Sequence, residues 1–261
     1  MKVVLSIAGS DSSGGAGIQA DLKTFEAFGV FSTSVITVLT AQNTTGVKNI
    51  HEVQPSFIKE QIEAVFEDFD VAALKIGMLY NKEIINLIKE QISKLRIPIV
   101  LDPVFISKSG SSLLKEDGVE AMKELFEYVS VVTPNQYEAK QLFGYAFGDS
   151  DSLHSIINAP TAVLVKNHLL ETADKKISVD QLFLHRQKRV FQTPYLDTNN
   201  LHGTGCSYSS AICANLALGK TLEESIQIAK TFIYEALLHA PNIGKGVGPI
   251  NHKRAGEKVQ T

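Results

Sequence analysis

The apolar positions of this chain fall into short, nearly continuous runs at residues 3–8, 33–39, 72–76, 97–101, 129–133 and 163–166. Runs of this length, rich in Val, Ile and Leu, read as strands buried on both faces, since a half-exposed strand would alternate apolar with polar side chains. Between them, apolar residues recur at three- and four-residue spacing over residues 18–28, 56–66 and 82–94, which predicts amphipathic helices. Alternating strands and helices predict an α/β fold, a mostly parallel sheet covered by helices on both faces. From about residue 177 to 195 the pattern becomes short alternating pieces, 181–185 and 189–192, expected to be antiparallel edge strands. Helical spacing returns at 206–218 and 222–239. With no proline-rich linker, repeat or low-complexity tract, residues 1–255 are expected to form one domain and the polar residues 256–261 a frayed tail.

Composition adds exclusions. The 261 residues carry 25 basic and 28 acidic side chains, a net charge of −3, so no nucleic-acid partner is implied. The first apolar run is too short for a secretory signal, and none approaches the roughly 20 residues of a spanning helix, so no membrane partner is expected. Cys206 and Cys213 lie seven apart in a predicted helix. That separation is about 10 Å of axial rise, too far for a disulfide and unlike zinc spacing. A reducing, cytoplasmic setting is the expectation.

In a parallel sheet, ligands gather beyond the carboxyl ends of the strands. Those ends carry residues 9–15 (GSDSSGG), 40–43 (TAQN), Gly77-Met78, 102–104 (DPV), 133–135 (TPN) and Lys166. The segment 202–206 (HGTGC) is the most informative. Glycines on both sides of Thr204 let backbone N–H groups converge where a helix begins, a concavity suited to a phosphoryl group. Cys206 at that helix start is a candidate proton acceptor, its thiolate favoured by the helix terminus; a tight turn followed by a small buried cysteine explains the same residues. Asp102 ends an apolar run, where a carboxylate must be paired, at a site, or capping the turn before Pro103. With Thr133 as N-cap and Pro134 first in the helix, Asn135 and Glu138 would share one helix face, either as part of a magnesium shell or as solvated first-turn residues. Lys108 and Lys245 sit in glycine-containing loops, and His202 is expected to bond the backbone.

Two other motifs are set aside. Residues 15–20 (GAGIQA) match the dinucleotide fingerprint, but the following strand ends at 40–42 (TAQ) without the acidic ribose ligand. Residues 219–221 (GKT) echo a phosphate loop, yet a helix precedes them where a strand is required; Gly219 reads as a helix C-cap and Thr221 with Glu224 as a capping box.

Taken together, residues 8–25 (AGSDSSGGAGIQADLKTF), 40–44 (TAQNT), 75–78 (KIGM), 101–104 (LDPV), 108–110 (KSG), 133–139 (TPNQYEA), 202–206 (HGTGC) and 246–249 (GVGP) resemble the hydroxymethylpyrimidine/phosphomethylpyrimidine kinases of thiamin biosynthesis, in the ribokinase-like superfamily. The resemblance implies a three-layer α/β/α sandwich and an ATP- and Mg2+-dependent enzyme, commonly homodimeric. Such an enzyme phosphorylates the hydroxymethyl group of a pyrimidine and then the resulting monophosphate. It implies that Gln42 meets the pyrimidine edge, that Gly9, Ala16, Met78 and Val104 shape the pocket, and that Asp21 lies nearby. Gly203, Thr204 and Gly205 would form the anion hole with Cys206 as general base, Asn135 and Glu138 would serve magnesium and phosphates with Asp102 as a further metal ligand, and Lys166 and Lys245 would lie on the ATP side. Where such kinases carry two glycines and a histidine after the strand at 163–166, this chain has Asn167-His168. Relatives with the same cysteine turn act on B6 vitamers, so a pyridoxal kinase is the alternative. A dinucleotide-dependent oxidoreductase and a non-catalytic nucleotide sensor are more distant ones.

Overall fold

The computed structural model describes residues 1–107, 110–115 and 117–259. Its strands are β1 (Val3–Asp11), β2 (Phe31–Asn43), β3 (Gly46–Glu52), β4 (Val71–Ile76), β5 (Ile99–Leu101), β6 (Val131–Val132), β7 (Ala162–Glu171), β8 (Lys176–Leu184) and β9 (Gln187–Pro194). They form a nine-stranded sheet in the order β3-β2-β1-β4-β5-β6-β7-β8-β9. The strands from β2 to β7 in that order pair in parallel, while β3 at one edge and β8–β9 at the other pair antiparallel.

Successive strand residues point to opposite layers, as pleating requires. Leu5, Leu74, Leu101 and Val132 pack against Ile58 and Ile62 of α2 (Pro55–Asp68) and against Ile84, Ile85, Ile88 and Ile92 of α3 (Lys82–Ile92). Their chain neighbours Val4, Ala73, Val100 and Val131 pack on the other face, against Phe25 of α1 (Gly17–Ala27), Ile212 of α7 (Thr204–Ala217) and Phe232 of α8 (Leu222–Leu238). This two-sided burial is why the strands read as unbroken apolar runs, and it produces the three layers.

Three local differences from the sequence reading have physical causes. The edge strand β3 was not anticipated, because an edge strand can be largely polar; it pairs from Val38 to Asn43 of β2. The residues beyond 255 are not frayed as far as 259: α9 (His252–Val259) docks with Ala255 and Gly256 buried, and a Cβ at Gly256 would meet Ala27 of α1. Helix α5 (Gln136–Phe143), between the short helices α4 (Gly118–Lys123) and α6 (Leu153–Ile157), is capped by Asn135 instead of Thr133, with Asn135 Oδ1 accepting from the Glu138 amide and the Glu138 carboxylate accepting from the Asn135 amide. Thr133 is held back in the sheet, where its amide donates to the Leu101 carbonyl. The Thr221–Glu224 capping box forms as predicted, while the C-cap of α7 is Leu218, with Gly219 in the left-handed conformation (φ +85°) just beyond it. Lys108, Ser109 and Thr261 lie outside the described residues.

Candidate active site

The carboxyl ends of β1, β2, β4, β5 and β7 open into one cavity of about 110 Å3. Its wall brings together most of the candidate residues: Gly9, Ala16, Gln42, Met78, Val104, Asp102, Asn135, Glu138, Lys166, Gly203, Gly205 and Cys206. Thr204 is not in this wall. It begins α7, donates through Oγ1 to the Leu201 carbonyl at 2.9 Å, and faces a neighbouring cavity.

Gly203 is the N-cap of α7 and adopts φ +86°, a conformation that suits glycine. The first amides of a helix have no intrahelical acceptor; that of Thr204 donates to the Leu201 carbonyl at 3.3 Å, while Gly205 and Cys206 of the same turn line the cavity, where helix-terminal amides suit an anion. Gly205 sits beside a buried ion pair: its missing Cβ would lie 3.5 Å from Lys166 Nζ and 3.7 Å from Asp102 Oδ2. Lys166 Nζ donates to Asp102 Oδ1 at 2.5 Å, and Thr133 Oγ1 donates to the same oxygen at 3.1 Å. A cation thus stands beside the amide turn, held by a carboxylate that is itself hydrogen-bonded.

Glu138 is the second buried carboxylate here. Its burial, opposed by Lys166 and reinforced by Asp102, pushes its carboxyl up to about 7. Lys166 pairs directly with Asp102, while the Glu138 carboxylate accepts from the amides of Asn135 and Phe105, so two carboxylates stand near one ammonium, a set of oxygens that a divalent cation would complement. Among the described residues no cluster of three or more His, Cys, Asp or Glu side chains forms a metal cage. Asp102 and Glu138 both line the cavity, and two carboxylates there fit an ion held largely by phosphate oxygens and water, the usual state of Mg2+ in phosphoryl-transfer sites.

Three assignments change. Asp21 does not line the cavity. It is buried beneath it, accepting from Lys75 Nζ at 2.8 and 2.9 Å, from Ser6 at 2.6 Å and from Ser210 at 2.7 Å. Lys245 is exposed in a loop whose amides at 245 and 246 donate to Thr44 Oγ1, away from the cavity wall. The Cys206 thiol is not acidic: burial pushes it up to about 11, against the pull of Lys75 and of a hydrogen bond from the Gly17 amide. Desolvation outweighs the helix terminus, an outcome that helix position alone does not reveal.

Sequence reasoning missed two participants. Lys75 reaches the cavity from β4, held by Asp21 from below. It is fully buried, and although burial works against its charge, Asp21, Cys206 and Asp102 together hold its ammonium above the usual lysine range. A lysine inside an apolar strand, with an aspartate one helix away, is the signal that could have found it. His202 bonds more than the backbone: its ring meets Asp11 at 2.7 Å. Asn167, at φ +65°, lies where the first cavity meets a second of about 290 Å3 lined by His168, Tyr195, Leu201, Tyr208, Tyr234 and Leu237.

The chain is similar to known proteins along nearly its whole length. The sequence profile of the phosphomethylpyrimidine kinase family matches residues 11–251. A hydroxymethylpyrimidine/phosphomethylpyrimidine kinase from Haemophilus influenzae is 43% identical over 260 residues, covering 97% of this chain and 97% of that protein. The thiamine biosynthesis bifunctional protein ThiED of Geobacter sulfurreducens is 42% identical, and the chain spans about half (53%) of its length. A solved pyridoxal kinase from Bacillus subtilis, in complex with ADP, superposes with TM-score 0.86 at 31% identity, covering 97% of this chain and 98% of that one. A solved phosphomethylpyrimidine kinase from Clostridium difficile gives TM-score 0.74 at 41% identity, covering 90% and 99%. Backbone shape is thus shared across both kinase types. Sequence identity is higher to the pyrimidine enzymes and the family profile spans nearly the whole chain, so the chain belongs to the phosphomethylpyrimidine kinase family.

Proposed function

We propose that this protein transfers the γ-phosphoryl group of ATP to the hydroxymethyl group of hydroxymethylpyrimidine, and then a second phosphoryl group to the monophosphate, supplying the pyrimidine half of thiamin. The observation that carries the reading is the single cavity in which Gln42, an amide turn at 203–205, the Lys166–Asp102 pair and Cys206 meet. Gln42 offers both a donor and an acceptor, which matches an aminopyrimidine edge. The nucleotide is assigned to the second cavity, which shares Asn167 with the first.

In this reading the amides of the 203–206 turn and Lys166 hold the transferring phosphoryl group between donor and acceptor. Phosphoryl transfer requires positioning and charge stabilisation more than covalent help. As the new P–O bond forms and the bond to ADP breaks, the hydroxymethyl proton passes to the Cys206 thiolate, with Lys75 as the facing cation. Asp102 and Glu138, with Asn135 beside them, would hold the Mg2+ that accompanies the nucleotide, which supplies charge neutralisation on the phosphates.

The test is ADP release with hydroxymethylpyrimidine, its monophosphate and pyridoxal in parallel, with products identified by mass. Formation of the pyrimidine diphosphate supports the reading. Turnover of pyridoxal alone would move the activity to B6 salvage, a reading that the close superposition on pyridoxal kinase motivates.

A further inference from the structure

We propose that Asp11 and His202 are positioning residues whose contact locks the substrate-side loop after β1 to the phosphoryl-holding turn before α7. The inference rests on the function proposed above, because it concerns how two bound groups are kept in line. Asp11 lies at the end of β1. Its Oδ2 accepts from His202 Nε2 at 2.7 Å, from the Ala16 amide at 2.8 Å and from the Gly15 amide at 3.1 Å. Its Oδ1 accepts from the amide and hydroxyl of Ser13 at 2.8 and 2.7 Å. His202 immediately precedes the glycine turn, and its own amide donates to the Gly248 carbonyl at 3.0 Å. One carboxylate thus shapes the loop that presents Ala16, while one imidazole ties that loop to the turn that presents Gly203 and Gly205.

The glycines of the apparent dinucleotide fingerprint support the same conclusion independently. A Cβ at Gly15 would collide with the His202 ring, and a Cβ at Gly203 would collide with the Gly15 carbonyl. The two loops interlock through positions where no side chain fits. This is a packing reason for glycine that needs no dinucleotide. Asp11, Ala16, His202 and Gly203 all border the cavity that holds Cys206. With the acceptor pyrimidine against the first loop and the phosphoryl group against the second, this junction sets the distance between the reacting atoms. A displacement of about 1 Å there is expected to cost rate on the order of 100-fold without loss of either binding surface.

The experiment uses the full-length protein with His202→Ala, His202→Gln and Gly15→Ala, assayed for ADP release with the pyrimidine substrate and followed by amide hydrogen exchange. His202→Ala is the primary variant because Asp11 keeps its other donors; thermal melting confirms that each variant is folded. His202→Ala and Gly15→Ala are expected to lower kcat 10- to 100-fold while KM for pyrimidine and for ATP each moves less than about 3-fold. His202→Gln, which can present an N–H near the Nε2 position, is expected to recover most of the loss. Faster exchange is expected at 203–206 in Gly15→Ala, although the substitution lies in the other loop. Unchanged kcat in the folded variants, a loss confined to KM, or exchange faster only at 12–17 would overturn the inference. If the wild type phosphorylates neither pyrimidine, the functional reading falls. The exchange data then decide alone whether the loops are coupled.

Discussion

Removing the thiol of Cys206 should separate catalysis from binding, and the structure supplies a magnitude. Burial raises this thiol from 9.0 to about 11, so forming the thiolate costs about 3 kcal/mol more than in a free cysteine. At pH 8 only about one molecule in a thousand carries the thiolate. If that species accepts the hydroxymethyl proton, kcat/KM for the pyrimidine should rise close to tenfold per pH unit between pH 7 and 9, since kcat/KM reports the titrating groups of the free enzyme. Cys206→Ala should lose this slope and fall roughly 100- to 10,000-fold in kcat, with KM little changed. Coupled ADP release at fixed ionic strength measures both, and iodoacetamide labelling followed by mass gives the thiolate fraction directly. A flat wild-type profile together with a near-normal rate for Cys206→Ala would refute the reasoning and place the proton transfer elsewhere.

Other consequences follow from the buried charges and the pocket edge. Lys75→Met would strand the Asp21 carboxylate in the core, and urea unfolding should show a loss of about 3–5 kcal/mol; a loss below 1 kcal/mol would mean that the pair is replaceable. Burial would raise the Asp11 carboxyl, but its bonds to His202, Ser13 and Ala16 hold it at about 2, below the 3.8 of an unperturbed aspartate. A depressed carboxyl stabilises the fold fully above its unfolded value and loses that contribution as pH falls through its folded value. Asp11 should therefore contribute about 2 kcal/mol above pH 4 that disappears toward pH 2, and comparing wild type with Asp11→Asn by denaturant melts across this window checks it. Gln42→Leu should raise KM for the pyrimidine at least tenfold while leaving KM for ATP within about twofold, read from initial rates with each substrate varied in turn.

The layers were legible because the central strands are buried on both faces, so each wrote itself as a continuous apolar run. The termini of those strands named most of the cavity in advance, since a parallel sheet places its polar residues there. What stayed hidden depended on tertiary contact. The polar segment at 252–259 carries no strong helical signal and forms α9 by docking Ala255 and Gly256 beneath α1 and α8. Asp21 and Lys75 are 54 residues apart in sequence and became a pair only when α1 and β4 met. The helix position of Cys206 was visible from sequence, but its burial was not, and burial decides its acidity. The resemblance put Lys245 on the ATP side, whereas the glycines that flank it let its loop pack against Thr44.

The central claim is that one cavity holds the acceptor pyrimidine against Gln42 and the transferring phosphoryl group against the 203–206 turn. The most direct measurement is a crystal structure of the protein with hydroxymethylpyrimidine and a non-hydrolysable ATP analogue. The expected complex has the pyrimidine edge on Gln42, the hydroxymethyl oxygen within hydrogen-bond reach of Cys206, and the γ-phosphate on the amides of Gly205 and Cys206 beside Lys166. A pyrimidine bound away from Gln42, or a γ-phosphate remote from that turn, would contradict it.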